Sequence, residues 1–230
     1  VQHDFLSVAR PGRRLHGMAF SLVRVGVNDI HFTELQDPGR AISADNRPLI
    51  ASTEQSADYA LYLSGARRLG KRLAIGLSAK AIYRQVASVN AYGFGVDLGA
   101  RYQLSPGIAL AANLRDITTT PIIWNTDSTD RIQPSLLLGL AYALPLAGGQ
   151  TTFIVGSRSG GDSTNTADKA PLNAGLEYHH RYITLRAGLE ESRQSLGLGL
   201  KPHAKLDLDL AYLQHNELRA TYQLSANFRF

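Results

Sequence analysis

No cysteine occurs among the 230 residues, so neither a disulfide framework nor a thiolate metal site can form, and the chain is compatible with an oxidising compartment. No apolar run approaches the roughly 20 residues that a membrane-crossing helix requires. If the chain meets a bilayer, it does so as strands. The first residue is Val1, with no Met and no charged-then-apolar leader, and the expectation is that a signal segment has been removed. The net charge of +5 is not gathered into a basic stripe interleaved with aromatics: Arg13-Arg14, Arg67-Arg68 and Lys71-Arg72 sit at turns and the other basic residues are dispersed. That argues against a nucleic-acid partner.

Other motifs are missing as well. Gly93-x-Gly95 and Gly197-x-Gly199 lie inside strand patterns rather than before a helix, so they are not nucleotide-binding loops. Their spacing leaves two side chains missing on one face, where a plug or a neighbouring backbone could come close. The acidic and hydroxylic run 162–168 lacks the glycine and terminal glutamate of a calcium loop. Adjacent residues of a strand end point apart, so His179-His180 is expected in a solvated turn rather than on a metal. The seven histidines show no companions of a catalytic triad, and neither an enzyme nor a cofactor is expected.

What the sequence does have is alternation. In 72–86, Leu73, Ile75, Leu77, Ala79, Ala81 and Tyr83 alternate with smaller or polar residues; in the next strand Tyr92, Phe94, Val96, Leu98, Ala100, Tyr102 and Leu104 face Gly93, Gly95, Asp97, Gly99 and Arg101. Leu136, Leu138, Leu140, Tyr142 and Leu144 repeat the pattern, and so does the last stretch, where Ala220, Tyr222, Leu224, Ala226, Phe228 and Phe230 share one parity. Period two over ten residues is the mark of a strand with one greasy face. Thirteen such strands are expected, at 1–11, 17–27, 58–69, 72–86, 91–104, 108–118, 132–146, 150–158, 171–178, 182–190, 195–201, 205–214 and 219–230.

The links between them fall into two sets. Alternate links, at 12–14, 70–71, 105–107, 147–149, 179–181 and 201–203, are tight turns, whereas 28–57, 119–131 and 159–170 are long. Short turns on one side and long loops on the other are the asymmetry of an outer-membrane barrel. A soluble barrel with its apolar side turned inward around a ligand also alternates. Three features favour the membrane. Many strands match the ~9–11 residues that cross a bilayer at a tilt. Tyr92, Tyr102, Tyr142, Tyr178, Tyr212 and Tyr222 lie toward the ends of apolar faces, as an interfacial girdle requires. Charges keep to the opposite parity.

The fold expected is therefore an all-β, transmembrane, antiparallel up-and-down barrel in one domain spanning residues 1–230 of the bacterial outer membrane. Lys80, Arg84, Asp97, Arg101, Arg115, Glu177, Arg186, Lys205, Asp207 and Asp209 would form a lumenal polar network, with charges of both signs mixed rather than ringed. Arg24 breaks the rule by sharing a face with Met18, Phe20 and Leu22. Ile122, Ile123 and Trp124 make an apolar stretch in a long external link and are candidates for docking a partner.

Several stretches resemble one family: 4–11 (DFLSVARP), 58–61 (DYAL) followed by 67–70 (RRLG), 95–102 (GVDLGARY) and 138–142 (LGLAY). In order and spacing they resemble the PorV/PorQ family of FadL-like outer-membrane proteins. That resemblance implies a barrel of fourteen strands with an N-terminal plug, of which the plug and first strand precede the residues present. It implies membrane lipid as surroundings and a role in binding or shuttling secreted proteins, with secretion-system components and exported cargo as partners. The alternative it implies is a channel for hydrophobic small molecules. A purely structural barrel is the third reading.

Overall fold

The computed structural model describes residues 1–12, 17–161, 171–190, 193–214 and 220–229. The run 162–168, the pair Arg13-Arg14 and Phe230 lie outside the described residues.

The first strands are β1 (Gln2–Arg10), β2 (Gly17–Leu35), β3 (Pro48–Leu69), β4 (Leu73–Val86), β5 (Val89–Ser105), β6 (Ile108–Arg115), β7 (Thr120–Trp124) and β8 (Thr129–Ile132). They are followed by β9 (Ser135–Leu146), β10 (Gly149–Gly160), β11 (Leu172–His180), β12 (Ile183–Glu190), β13 (Arg193–His203), β14 (Leu206–Gln214) and β15 (Thr221–Phe228). Pairing follows chain order from β1 to β6, then β9 to β15, with β7 and β8 off the path. The thirteen strands of that path are the thirteen that alternation marks out. β1 and β15 end the order, so among the described residues the sheet has two edges. Antiparallel neighbours joined by two-residue turns need backbone that bends with the sheet's twist. Ala147 and Gly148 supply it between β9 and β10, both at positive φ, 51° and 75°.

The chain divides into two compact units. One comprises Val1–Arg67, Gly76–Leu98 and Asp116–Pro134; the other comprises Arg68–Ile75, Gly99–Arg115 and Ser135–Phe230. In each, the usual arrangement of a soluble protein is inverted. In the first, Phe94 is 67 % exposed while Ala91, three residues earlier on the other parity, is fully buried. In the second, Leu138, Leu140, Leu196, Leu198 and Leu200 are exposed while Gly199, between the last two, is buried. A soluble protein does not leave whole strand faces of Leu, Phe and Tyr uncovered.

Two expected loops are corrected. The segment 28–57 is mostly strand: β2 and β3 continue their pairing through Ile30↔Glu54 and His31↔Thr53 out to Leu35↔Pro48. Alternation is lost there because register slips between Val27 and Ile30, where Asp29 takes a φ of 59°, and again between Phe32 and Thr33. Past that point both faces are largely exposed, and the backbone ladder is joined by a contact of 3.0 Å between His31 Nδ1 and the Thr53 hydroxyl. The true loop, 36–47, is closed by Asn46, whose buried amide donates to the carbonyls of Asp37, Arg40 and Ala41 and accepts from the Asp37 N–H. The segment 119–131 is likewise a hairpin, β7 with β8, which raises the strand total from thirteen to fifteen among the described residues.

Arg24 finds its explanation at the end of the apolar stretch of β2. Its guanidinium meets Asp4 at 2.9 Å and lies over the ring of Tyr59, the first of a row in which Tyr59, Tyr83 and Tyr92 stand 6.1 and 5.1 Å apart between ring centroids. From Met18 to Arg24 an extended strand climbs on the order of 20 Å at ~3.3 Å per residue, close to the height of a barrel's apolar band. A row of tyrosines with a paired cation marks where such a band ends.

Candidate functional site

Strand β6 stops at Arg115 because Asp116 and Thr119 turn to positive φ, 54° and 53°. Aspartate tolerates that region better than most residues; a β-branched threonine does so rarely, and surroundings must hold it there. They do. The Ile117 N–H donates to the Val96 carbonyl at 3.0 Å and the Thr119 N–H to the Asp116 carbonyl at 2.8 Å. Beyond the kink β7 pairs with the start of β5, Ala91↔Trp124 and Gly93↔Ile122.

The glycines of β5 make room for it. A Cβ on Gly93 would lie 2.8 Å from the Pro121 carbonyl oxygen and collide with Ile122; one on Gly95 would lie 2.7 Å from Lys80 Cε and collide with the Thr120 hydroxyl. A neighbouring strand fills the space those two side chains would occupy.

Under β7 lies a buried polar cluster. Lys80 Nζ is 2.9 Å from Asp97 Oδ1 and 2.7 Å from Asp116 Oδ1, with side-chain exposures of 6, 15 and 8 %. Asp97 Oδ1 also accepts the Asp116 N–H at 2.9 Å, and the Thr120 hydroxyl donates to Asp116 Oδ1. One ammonium thus joins β4, β5, the kink and the first residue of β7. Sequence parity singles out Lys80 and Asp97 but not Asp116, at the end of the strand expected over 108–118, or Thr120, in the loop expected over 119–131. Gly93-x-Gly95 is the signal that a neighbour approaches there.

The three apolar residues of this hairpin part company. Ile122 is buried, 1 % exposed, and is not available to a partner. Ile123 on the opposite side is exposed, and Trp124 is half-buried with its indole N–H donating to Asp130 at 2.7 Å. In the same unit Arg84 binds Asp58 through two nitrogens, at 2.9 and 3.1 Å.

The second unit carries a different polar arrangement. Register places Glu177 opposite Arg186, Arg186 opposite Gly197, and Gly199 opposite Asp209. Arg186 therefore lies across β13, with Nε 2.7 Å from Glu177 and Nη1 2.6 Å from Asp209. It can do so because Gly197 and Gly199 are bare: a Cβ would stand 3.2 Å from the Arg186 Cβ at the first and 2.8 Å from Asp209 Oδ1 at the second. Asp207 pairs with Arg229 instead. Glu177, His179, Arg186, Lys201, Asp207 and Asp209 line a cavity of 340 Å³.

Of the ten residues expected in one network, Lys80 and Asp97 share one cluster; Glu177, Arg186 and Asp209 form another, with Asp207 beside it. Arg101 bonds Gln103 on its own strand, Arg115 is exposed, and Lys205 sits exposed at a turn. Among the described residues no three of His, Asp and Glu gather closely enough to hold a metal ion.

Beside the charged ladder, on the same face, lies a strip without charge. Following register from Glu177, the same side of the sheet holds Thr152, Ile154 and Gly156 on β10, Gly139, Ala141 and Ala143 on β9, and Ala109 and Ala111 on β6. Ile154 is exposed there. The sequence shows these positions as small; only register shows that they adjoin.

No protein-family model and no curated protein matches the chain. Among solved structures it is similar to the Ralstonia pickettii toluene transporter TbuX, with a TM-score of 0.60 and 13 % identity, over 97 % of this chain and 81 % of that one. At that identity the likeness is one of fold: an all-β, antiparallel, up-and-down sheet. The narrower resemblance to PorV and PorQ proteins finds no support in these comparisons.

Proposed function

We propose that the chain forms the wall of a bacterial outer-membrane channel for hydrophobic small molecules. Membrane lipid covers the exposed Leu, Phe and Tyr faces, which leaves the opposite face to line the passage. The observation that carries the reading is the uncharged strip of Ala109, Ala111, Gly139, Ala141 and Ile154 beside a ladder whose carboxylates and guanidinium are already bound to one another. Mutually paired charges make no single-sign ring to attract ions. A smooth apolar strip lets an apolar solute move without giving up hydrogen bonds to water, because it had none to lose. The fold shared with a toluene transporter agrees with this solute class.

Secretion partners and exported cargo, expected from the motif resemblance, have no comparable observation behind them, and the channel reading is preferred. The test is uptake. Cells producing the full protein should take up radiolabelled toluene faster than cells lacking it, with glucose uptake unchanged. Ile154→Asp, which places a charge in the strip, should lower the gain several-fold while leaving the protein folded in the membrane. Equal uptake with and without the protein would overturn the proposal.

A further inference from the structure

The β11–β12 turn separates two faces with different chemistry. His179 lies on the face of the polar cavity, where its Nδ1 and the Thr184 hydroxyl are 2.9 Å apart, while Tyr178 and His180 turn to the apolar side. There Tyr178, His180, Arg181, Tyr182, Ile183 and Leu185 line a groove of 380 Å³. The Tyr178 hydroxyl is committed, donating to the Ala147 carbonyl at 2.9 Å, and its ring meets His180 edge-on at 6.4 Å between centroids. These contacts fix one wall. Tyr182, Ile183 and Leu185 are exposed along the other.

Two features say what occupies the groove. Its lining contains a permanent cation and no carboxylate, so it favours an anion. That cation is Arg181, held at a φ of 51°, a conformation that glycine or asparagine would adopt at less cost. Tyrosines flanking a single arginine at the end of an apolar strand face are placed at headgroup level in a bilayer. A guanidinium fits the oxygens of a phosphate diester in a fork, and Ile183 and Leu185 continue away from it as an apolar floor.

We propose that this groove binds one anionic phospholipid, its phosphate on Arg181 and an acyl chain along Ile183 and Leu185. The inference rests on the reading that the apolar face meets lipid, and the test keeps the two apart. The purified full-length protein is equilibrated in micelles containing equal phosphatidylglycerol and phosphatidylcholine, and lipid retained per protein is counted by native mass spectrometry. One phosphatidylglycerol should be retained in about fivefold preference over phosphatidylcholine, the effect of one basic residue near a membrane surface. Arg181→Asn, a residue suited to positive φ, should bring the two lipids to parity; Arg181→Lys should keep part of the preference. Heat-modifiability on gels confirms that each variant is folded, and the wild-type competition decides the matter alone if one is not. Equal retention of both lipids by the wild type, or an unchanged preference in Arg181→Asn, overturns the site while leaving the lipid-facing reading intact. No retained lipid of any kind counts against both. Loss of phosphatidylglycerol on adding millimolar inorganic phosphate would assign Arg181 to a free anion and overturn the lipid proposal.

Discussion

Lys80 and Arg186 look alike in the sequence pattern, each a cation on the polar parity of a strand, and in the structure each meets two carboxylates. Their surroundings make them unlike. The Lys80 side chain is 6 % exposed and locked beneath β7, whereas that of Arg186 is 41 % exposed along a water-accessible face. A cation that has lost its water leaves its partners stranded when removed; one still hydrated does not. Alternation reports which face a charge takes, and depth decides what the charge is worth.

The comparison can be broken most sharply at Lys80. Lys80→Met would leave Asp97 and Asp116 buried without their cation, and a loss of about 3–5 kcal/mol is expected in equilibrium unfolding of the folded protein. Faster hydrogen exchange over Thr120–Trp124 should accompany it, because the same contact anchors β7. Gly95→Ala comes next. The new methyl would meet the fully buried Thr120 and the pinned stem of Lys80, neither free to withdraw, and about 1–3 kcal/mol is expected. Arg186→Ala should show the smallest effect, about 0–1 kcal/mol and shrinking with added salt. If Arg186→Ala costs as much as Lys80→Met, depth is not what separates the two clusters.

The path of thirteen strands was legible in the sequence because one physical cause, an apolar environment on one side, writes itself into every second residue; turn positions were less so, since the turn expected at 201–203 falls at 204–205, with β13 running on to His203. Where that environment ends the text becomes unreadable. Past Arg24 and before Asp58, β2 and β3 stay paired with no greasy face to advertise it, and the slip at Asp29 scrambles what alternation remains. The kink at Asp116 and Thr119 was hidden for another reason: neither is a glycine, so nothing local signals positive φ. Gly93 and Gly95 were the trace of it, on the strand opposite. Lys80, Asp97, Glu177, Arg186 and Asp209 each fall on the polar parity of their strands, but which of them meet depends on register and on the bare positions at Gly197 and Gly199.

With no native cysteine, single cysteines can be placed at successive positions of β5 and spin-labelled one at a time in the reconstituted protein. Labels at Phe94, Leu98, Ala100 and Tyr102 should collide readily with dissolved oxygen and poorly with a water-soluble nickel chelate, and labels at Gly99, Arg101 and Gln103, clear of the cluster under β7, should do the reverse, in strict alternation from Leu98 to Gln103. An absence of alternation, or alternation of the opposite sign with Phe94 and Leu98 reached by the nickel chelate, would contradict the claim that lipid covers the apolar face.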